Sequence, residues 1–305
     1  MSVTVLEGPK GTELQRLGRS VTDPWWTSEA LLDDAGRELL RGIHRSYRAA
    51  GAGLVTANTF RTNLRALRAA GADEAFSREL VRRAVADARS AADARSAAGA
   101  RAGAPEAGGA PVRVAAGMTT AEDCYRPDLV PPDDELAAEH GWLAARLAEQ
   151  QVDLVLAETL NTVREAVVVT ESCVRAGLPV WVSFVCREGG LLLSGEPLED
   201  AVRAVTAAGA GAVLVNCVAL GDLDAALSVL AKHGTVPVGA YPNVEDRSGV
   251  ADWTPVDHYV PVACGPEEFA ESMAERVERY GLDLVGGCCG TTPEHIAALR
   301  GRLGG

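Results

Sequence analysis

Short apolar runs recur along this chain, each followed by a longer stretch that mixes apolar and charged residues. The runs are 3–8, 54–58, 112–117, 154–159, 180–184, 212–217, 236–241 and 284–289. Each is rich in valine or leucine and short enough for a buried strand. The stretches 28–50, 73–98, 133–150, 162–176, 197–208, 222–233, 266–280 and 293–303 predict helices. Strands that are apolar throughout, rather than alternating, belong in a parallel sheet covered on both faces. Eight such units predict an α/β fold, a single (β/α)8 TIM barrel. The rival is a doubly wound open sheet. It needs no eighth unit and usually carries a phosphate-binding glycine turn after its first strand.

Local signals support this frame. Thr162-Val163-Arg164-Glu165 fits a capping box. Pro197, Pro266 and Pro293 stand where first helical turns start. Gly177 and Gly209 follow helical stretches as C-caps. A tandem repeat, Asp87-Ala88-Arg89-Ser90-Ala91-Ala92 and Asp93-Ala94-Arg95-Ser96-Ala97-Ala98, breaks the pattern. A six-residue step does not hold one helix face. The repeat reads as a helix extension entering a flexible Ala/Gly-rich insertion around 99–111, within one domain spanning 1–305.

Composition narrows the function. A net charge of −13 argues against nucleic acid as a partner. The first residues lack the basic and apolar regions of a signal peptide, and no apolar run is long enough to span a membrane. The expected location is therefore the cytoplasm. In that reducing compartment, seven cysteines suggest metal or catalysis before disulfides.

In a parallel barrel the chemistry sits at the carboxyl ends of the strands. Those ends carry Glu7, Asn58 with Thr59, Glu158 with Thr159, Ser183, Asn216 with Cys217, Tyr241 with Asn243, and Cys288 with Cys289. Adjacent side chains on a strand point to opposite faces, so Cys288 and Cys289 converge only if the strand breaks. Gly286, Gly287 and Gly290 permit that break. Cys217, Cys288 and Cys289 are then expected to form a three-thiolate zinc site with one open position. The plainer alternatives are buried packing or a strained disulfide between adjacent residues. Cys124, Cys173, Cys186 and Cys264 have no motif around them and read as small buried hydrophobes. Trp25 and Trp26 form either a cation–π wall or a staple into the next helix.

At these residues the chain resembles the homocysteine S-methyltransferases, nearly from end to end. The likeness runs through Glu7-Gly8 with Gly11-Thr12-Glu13-Leu14 and through Ala57-Asn58-Thr59-Phe60-Arg61-Thr62-Asn63. It continues in Ala157-Glu158-Thr159, Val182-Ser183-Phe184, Val215-Asn216-Cys217, Ala240-Tyr241-Pro242-Asn243 and Gly286-Gly287-Cys288-Cys289-Gly290. The resemblance implies zinc on Cys217, Cys288 and Cys289, with the homocysteine thiol in the open position. It implies no further catalytic residue. A free thiol has a pKa of roughly 8.5, and zinc ionises it. The resemblance also implies that Glu158 binds the substrate ammonium. Glu7 stands where the family usually has aspartate, so it reaches the same amine or reshapes the pocket. Gly8 and Thr12 are candidates for the substrate carboxylate, and Asn58 and Asn216 for orienting roles. The donor expected is a small sulfonium, S-methylmethionine or S-adenosylmethionine. Room for folate and cobalamin domains is lacking, as is the long tail of betaine-using relatives. The alternatives are methylation of another thiol or a selenol by the same chemistry, or a zinc-stabilised scaffold without activity.

Overall fold

The computed structural model describes residues 3–93, 112–248 and 256–304. Eight parallel strands form the central sheet: β1 (Thr4–Val5), β2 (Leu54–Ala57), β3 (Arg113–Met118), β4 (Leu154–Leu160), β5 (Val180–Phe184), β6 (Ala212–Ala219), β7 (Val238–Asn243) and β8 (Leu284–Val285). Each strand pairs with its neighbours in sequence, and β1 pairs with β8. A parallel bridge from Leu6 to Leu54 joins the remaining edges and closes the ring. The helices are α1 (Gly11–Arg16), α2 (Asp34–Ala49), α3 (Leu64–Ala69), α4 (Glu74–Asp93), α5 (Asp133–Glu149), α6 (Val163–Arg175), α7 (Leu198–Ala207), α8 (Leu223–His233), α9 (Pro266–Tyr280) and α10 (Pro293–Arg302). This is the expected (β/α)8 barrel, with α1 and α3 as short additions in loops. A small antiparallel hairpin, Cys186–Arg187 with Leu191–Leu192, is a further addition that the apolar pattern did not reveal.

The parity of each strand explains why its runs are apolar on both faces. Leu6, Leu54, Ala115, Leu154, Leu156, Ala212, Leu214, Tyr241 and Leu284 form a separate buried cluster drawn from around the ring, which fills its interior. The intervening residues, such as Val55, Val155, Val213 and Val285, pack outward against the helices in the main core. Fully burying one such leucine or valine is worth roughly 1.5–3 kcal/mol. The interior parity then aims the chemistry: Glu158 follows Leu154 and Leu156, and Asn216 follows Ala212 and Leu214.

Several local expectations change in detail. The helix expected from residue 28 begins only at α2, where the Asp33 carboxylate accepts the Gly36 N–H at 2.6 Å. Trp26–Leu31 before it is a 3-10 turn. Thr162 caps α6 by accepting the Glu165 N–H. The Glu165 carboxylate does not complete a capping box. It is buried and accepts from His140 Nε2 at 2.9 Å and the Ala121 N–H at 2.7 Å. The full capping box lies instead at Thr292 and His295, opening α10. Pro197 precedes its helix, whereas Pro266 and Pro293 start theirs. In α4, the repeat's Asp87 takes Arg37 and Arg41 of α2 at 2.8–2.9 Å, pinning the two helices. The later half of the repeat from 94 and the insertion at 99–111 lie outside the described residues. Among the described residues, no helix is long and apolar enough to cross a membrane.

Candidate metal centre and its pocket

Cys217 reaches the barrel mouth because β6 breaks its own rule. Parity would point it outward, one step after the inward Asn216. Instead β6 bulges between Asn216 and Ala219, and Cys217 adopts φ +54°. A residue other than glycine pays strain for that left-handed conformation, and such strain collects at functional sites. A matching bulge lies two strands away in β4, with Thr159 at φ +62°. Asn216 holds the two bulges together. Its Oδ1 accepts from Ser183 Oγ at 2.7 Å and from the Thr159 N–H at 3.1 Å, while its Nδ2 donates to Thr159 Oγ1 at 2.8 Å.

The adjacent pair, Cys288 and Cys289, arrives by a different device. Past β8 the backbone leaves the sheet and is tied to the end of β7. The Cys288 N–H donates to the Pro242 carbonyl at 2.8 Å, and the Cys289 N–H to Asn243 Oδ1 at 3.1 Å. Sequence reasoning attributed the break to the conformational freedom of three glycines. Only Gly290 uses it, at φ +84°. Gly286 and Gly287 answer to space instead: a methyl group would fall 2.8 Å from Leu6 Cβ at the first and 2.2 Å from Thr291 Oγ1 at the second.

The three sulfurs lie within 4.8 Å of one another and are the one such cluster among the described residues. Cys217 Sγ is 3.1 Å from Cys288 Sγ, and Cys288 Sγ is 4.0 Å from Cys289 Sγ. Ligands about 2.3 Å from a tetrahedral ion stand about 3.8 Å apart, so the cluster matches that spacing with a slight opening of the closer pair. Soft thiolates in this number suit a soft or borderline metal. Hydrogen bonds from Cys288 and Cys289 pull the Cys217 thiol down to about 5, with Tyr125 adding to them. The same bonds to Cys217 push Cys289 upward, and Cys288 also rises. The remaining cysteines behave as the sequence suggested. Burial pushes Cys124, Cys173 and Cys186 up to about 12 and Cys264 to about 11, which leaves them inert thiols.

The cluster forms one wall of a cavity of about 180 Å3 whose lining includes Lys10, Thr12, Trp26, Asn58, Tyr125 and Glu158. A separate cavity of about 330 Å3 by Arg19 and Trp25 lies apart from the thiols, and its Arg19 is already paired with Glu29 and Asp33. Glu158 accepts from the Tyr241 hydroxyl at 3.3 Å. Burial pushes its carboxyl up to about 7, against the pull of Lys10 and with a further push from Cys288. Asn58 lines the pocket and donates to the Thr27 carbonyl at 2.8 Å, while its Oδ1 is buried without a partner. Thr12 Oγ1 accepts the Gly290 N–H at 3.2 Å, linking the first loop to the double-cysteine loop.

Other candidates stand behind this wall. Asn216 is fully buried among strand ends and bonds Thr159 and Ser183, and Thr159 in turn reaches Cys217 Sγ at 3.9 Å. Gly8 packs under Tyr47, whose ring would lie 2.5 Å from any added methyl. Glu7 is buried, and its carboxylate is taken by the Thr56 N–H at 2.6 Å, His44 Nδ1 at 2.9 Å and Lys10 Nζ at 3.1 Å. Burial pushes Glu7 up, but these partners outweigh it and hold the carboxyl below its ordinary value. Trp26 lines the pocket, and the Arg61 guanidinium already lies 4.9 Å over its ring. Sequence reasoning missed Lys10 and Tyr125. For Lys10 a signal existed: with Lys232, it is one of two lysines among 29 basic residues.

A profile of the homocysteine S-methyltransferases matches residues 4–303. The chain belongs to the homocysteine S-methyltransferase family. The homocysteine S-methyltransferase of Escherichia coli (strain K12) is 29% identical over 98% of this chain and 95% of its own length. The selenocysteine Se-methyltransferase of Brassica oleracea var. italica is 27% identical over 98% of this chain and 88% of its own. Among solved structures, the metallated form of the homocysteine methyltransferase MmuM from Escherichia coli aligns with a TM-score of 0.81 and 28% identity. That alignment covers 99% of this chain and 96% of that one.

Proposed function

We propose that this protein transfers a methyl group from a small sulfonium donor to the thiol of homocysteine, giving methionine, with zinc held by Cys217, Cys288 and Cys289. The observation that carries this reading is the convergence of three thiol sulfurs on one pocket wall, beside the carboxylate of Glu158. When bound, zinc supplies a Lewis acid that keeps the acceptor thiol ionised at neutral pH. Glu158 pairs with the acceptor's ammonium and fixes its orientation. Asn216 and Thr159 hold Cys217 in its strained position, so the sulfurs are set before substrate arrives. The acceptor sulfur then forms a new bond to the methyl carbon as the sulfonium C–S bond breaks. The bonding pair leaves on the donor sulfur as a neutral thioether. Charge is cancelled in that step, which a closed, partly dry pocket favours. The thiols must stay reduced, which a cytoplasmic location provides.

The same arrangement accepts a selenol, and the likeness to a selenocysteine methyltransferase supports that second reading. A donor panel tests the proposal. Metal-loaded protein with homocysteine should make methionine from S-methylmethionine or S-adenosylmethionine, and none from betaine or methyltetrahydrofolate. Turnover with betaine alone would overturn the sulfonium reading. Methylation of selenocysteine with no turnover of homocysteine would favour the second.

A further inference from the structure

We infer that Lys10 is the residue that recognises the carboxylate of the acceptor amino acid, making this site selective for a zwitterion rather than for any amino-thiol. The inference rests on the function proposed above and names a contact within it. Lys10 sits at the N-cap of α1, at the end of the loop that follows the first barrel strand, and its side chain lines the pocket while only 13% exposed. A buried ammonium needs partners. Among the described residues its hydrogen bond goes to Glu7 Oε1 at 3.1 Å. An ammonium has three N–H donors, so two remain for the pocket.

The charges around Lys10 explain why it stays cationic and why it is placed there. Glu7 is also held from behind by His44 Nδ1 and the Thr56 N–H, so it anchors Lys10 through one N–H and leaves the others unused among the described residues. Burial pushes the ammonium down, but Glu7, Glu158 and Cys288 outweigh that and raise it. Glu158 lines the same pocket, so Lys10 and Glu158 present a cation and a carboxylate beside the thiol cluster, apart from the Arg247–Glu245 pair that also lines it. An amino acid whose side chain ends in a thiol has the matching set: a sulfur for the cluster, an ammonium for Glu158 and a carboxylate for Lys10. Thr12, two residues on, accepts the Gly290 N–H and keeps its own hydroxyl proton to donate beside Lys10. The other cation of the pocket lining, Arg247, is paired with Glu245 at the same 3.1 Å but is more open to solvent, 29% exposed against 13% for Lys10.

The test compares L-homocysteine with 3-mercaptopropylamine, which keeps the thiol and ammonium but lacks the carboxylate. Calorimetry on zinc-loaded wild type should show L-homocysteine binding roughly 10–150-fold more tightly, the value of one charge-assisted contact. In Lys10→Gln that preference should collapse, with the binding of 3-mercaptopropylamine little changed. Equal affinities in wild type, or a preference that survives in Lys10→Gln, overturns the inference and leaves the methyltransferase reading standing. If Lys10→Gln does not fold, L-homocysteine methyl ester on wild type decides: it should bind as weakly as 3-mercaptopropylamine, and affinity equal to the free acid overturns the inference. Failure of every thiol to bind wild type would overturn both readings together.

Discussion

Replacing Cys288 with alanine should strip the metal from the protein and abolish methyl transfer. Cys288 is the middle sulfur of the cluster, 3.1 Å from Cys217 and 4.0 Å from Cys289. Its removal leaves two thiolates, too few for a closed three-ligand set. The affinity lost should exceed the roughly 10–100-fold typical of a supporting outer partner. The barrel should survive, because the backbone of the double-cysteine loop is held by Pro242, Val244 and the Asn243 side chain rather than by the thiol. Metal content by mass spectrometry, methionine formation and the far-ultraviolet dichroism of the variant check this. Cys186→Ala is the control, since that thiol lies in the small hairpin outside the cluster. A Cys288→Ala protein with full metal and full activity would remove the cluster from the mechanism.

The second large effect belongs to Glu158. Glu158→Gln keeps the size of the side chain and removes its charge. Losing one charge-assisted hydrogen bond should weaken homocysteine binding by about 1.5–3 kcal/mol, or roughly 10–150-fold. Metal content should stay normal, since Glu158 is not one of the clustered thiols. The pH dependence carries a sign. Burial raises the Glu158 carboxyl to about 7, so the free protein loses this charge as pH falls through neutrality. Homocysteine affinity in wild type should therefore fall as pH drops from 8 to 6. In Glu158→Gln the carboxylate's share of that fall should vanish, leaving only the share due to thiol ionisation. Calorimetry across that range separates the two. Identical affinities and pH profiles in both proteins would take Glu158 out of the pocket chemistry.

The barrel was legible because its strands are buried on both faces, and such strands write themselves as short apolar runs. The inward Glu158 was legible as well, since Leu154 and Leu156 set its parity. Cys217 shows the limit of that logic. Its parity points it away from the mouth, and only a bulge with φ +54° turns it in. Its place at the end of an apolar run made it a candidate, and the family likeness agreed; periodicity did not show the turn that aims it. Gly286 and Gly287 were read as flexible joints, yet they are small because Leu6 and Thr291 crowd them. Side-chain partners were hidden for a different reason, because they join residues distant in sequence. Glu165 looked like a capping residue and proved to hold a buried histidine from α5. Glu7 looked like a candidate for the substrate amine, while its carboxylate is engaged by His44, Thr56 and Lys10. Nothing local to Glu7 announces His44, which comes from the middle of α2.

X-ray absorption at the zinc edge tests the central claim most directly, because it counts the sulfur atoms around the ion before and after acceptor is added. The account predicts three sulfur neighbours at about 2.3 Å in zinc-loaded wild type. It predicts four once L-homocysteine is present. A sulfur count that does not rise on adding homocysteine would contradict it.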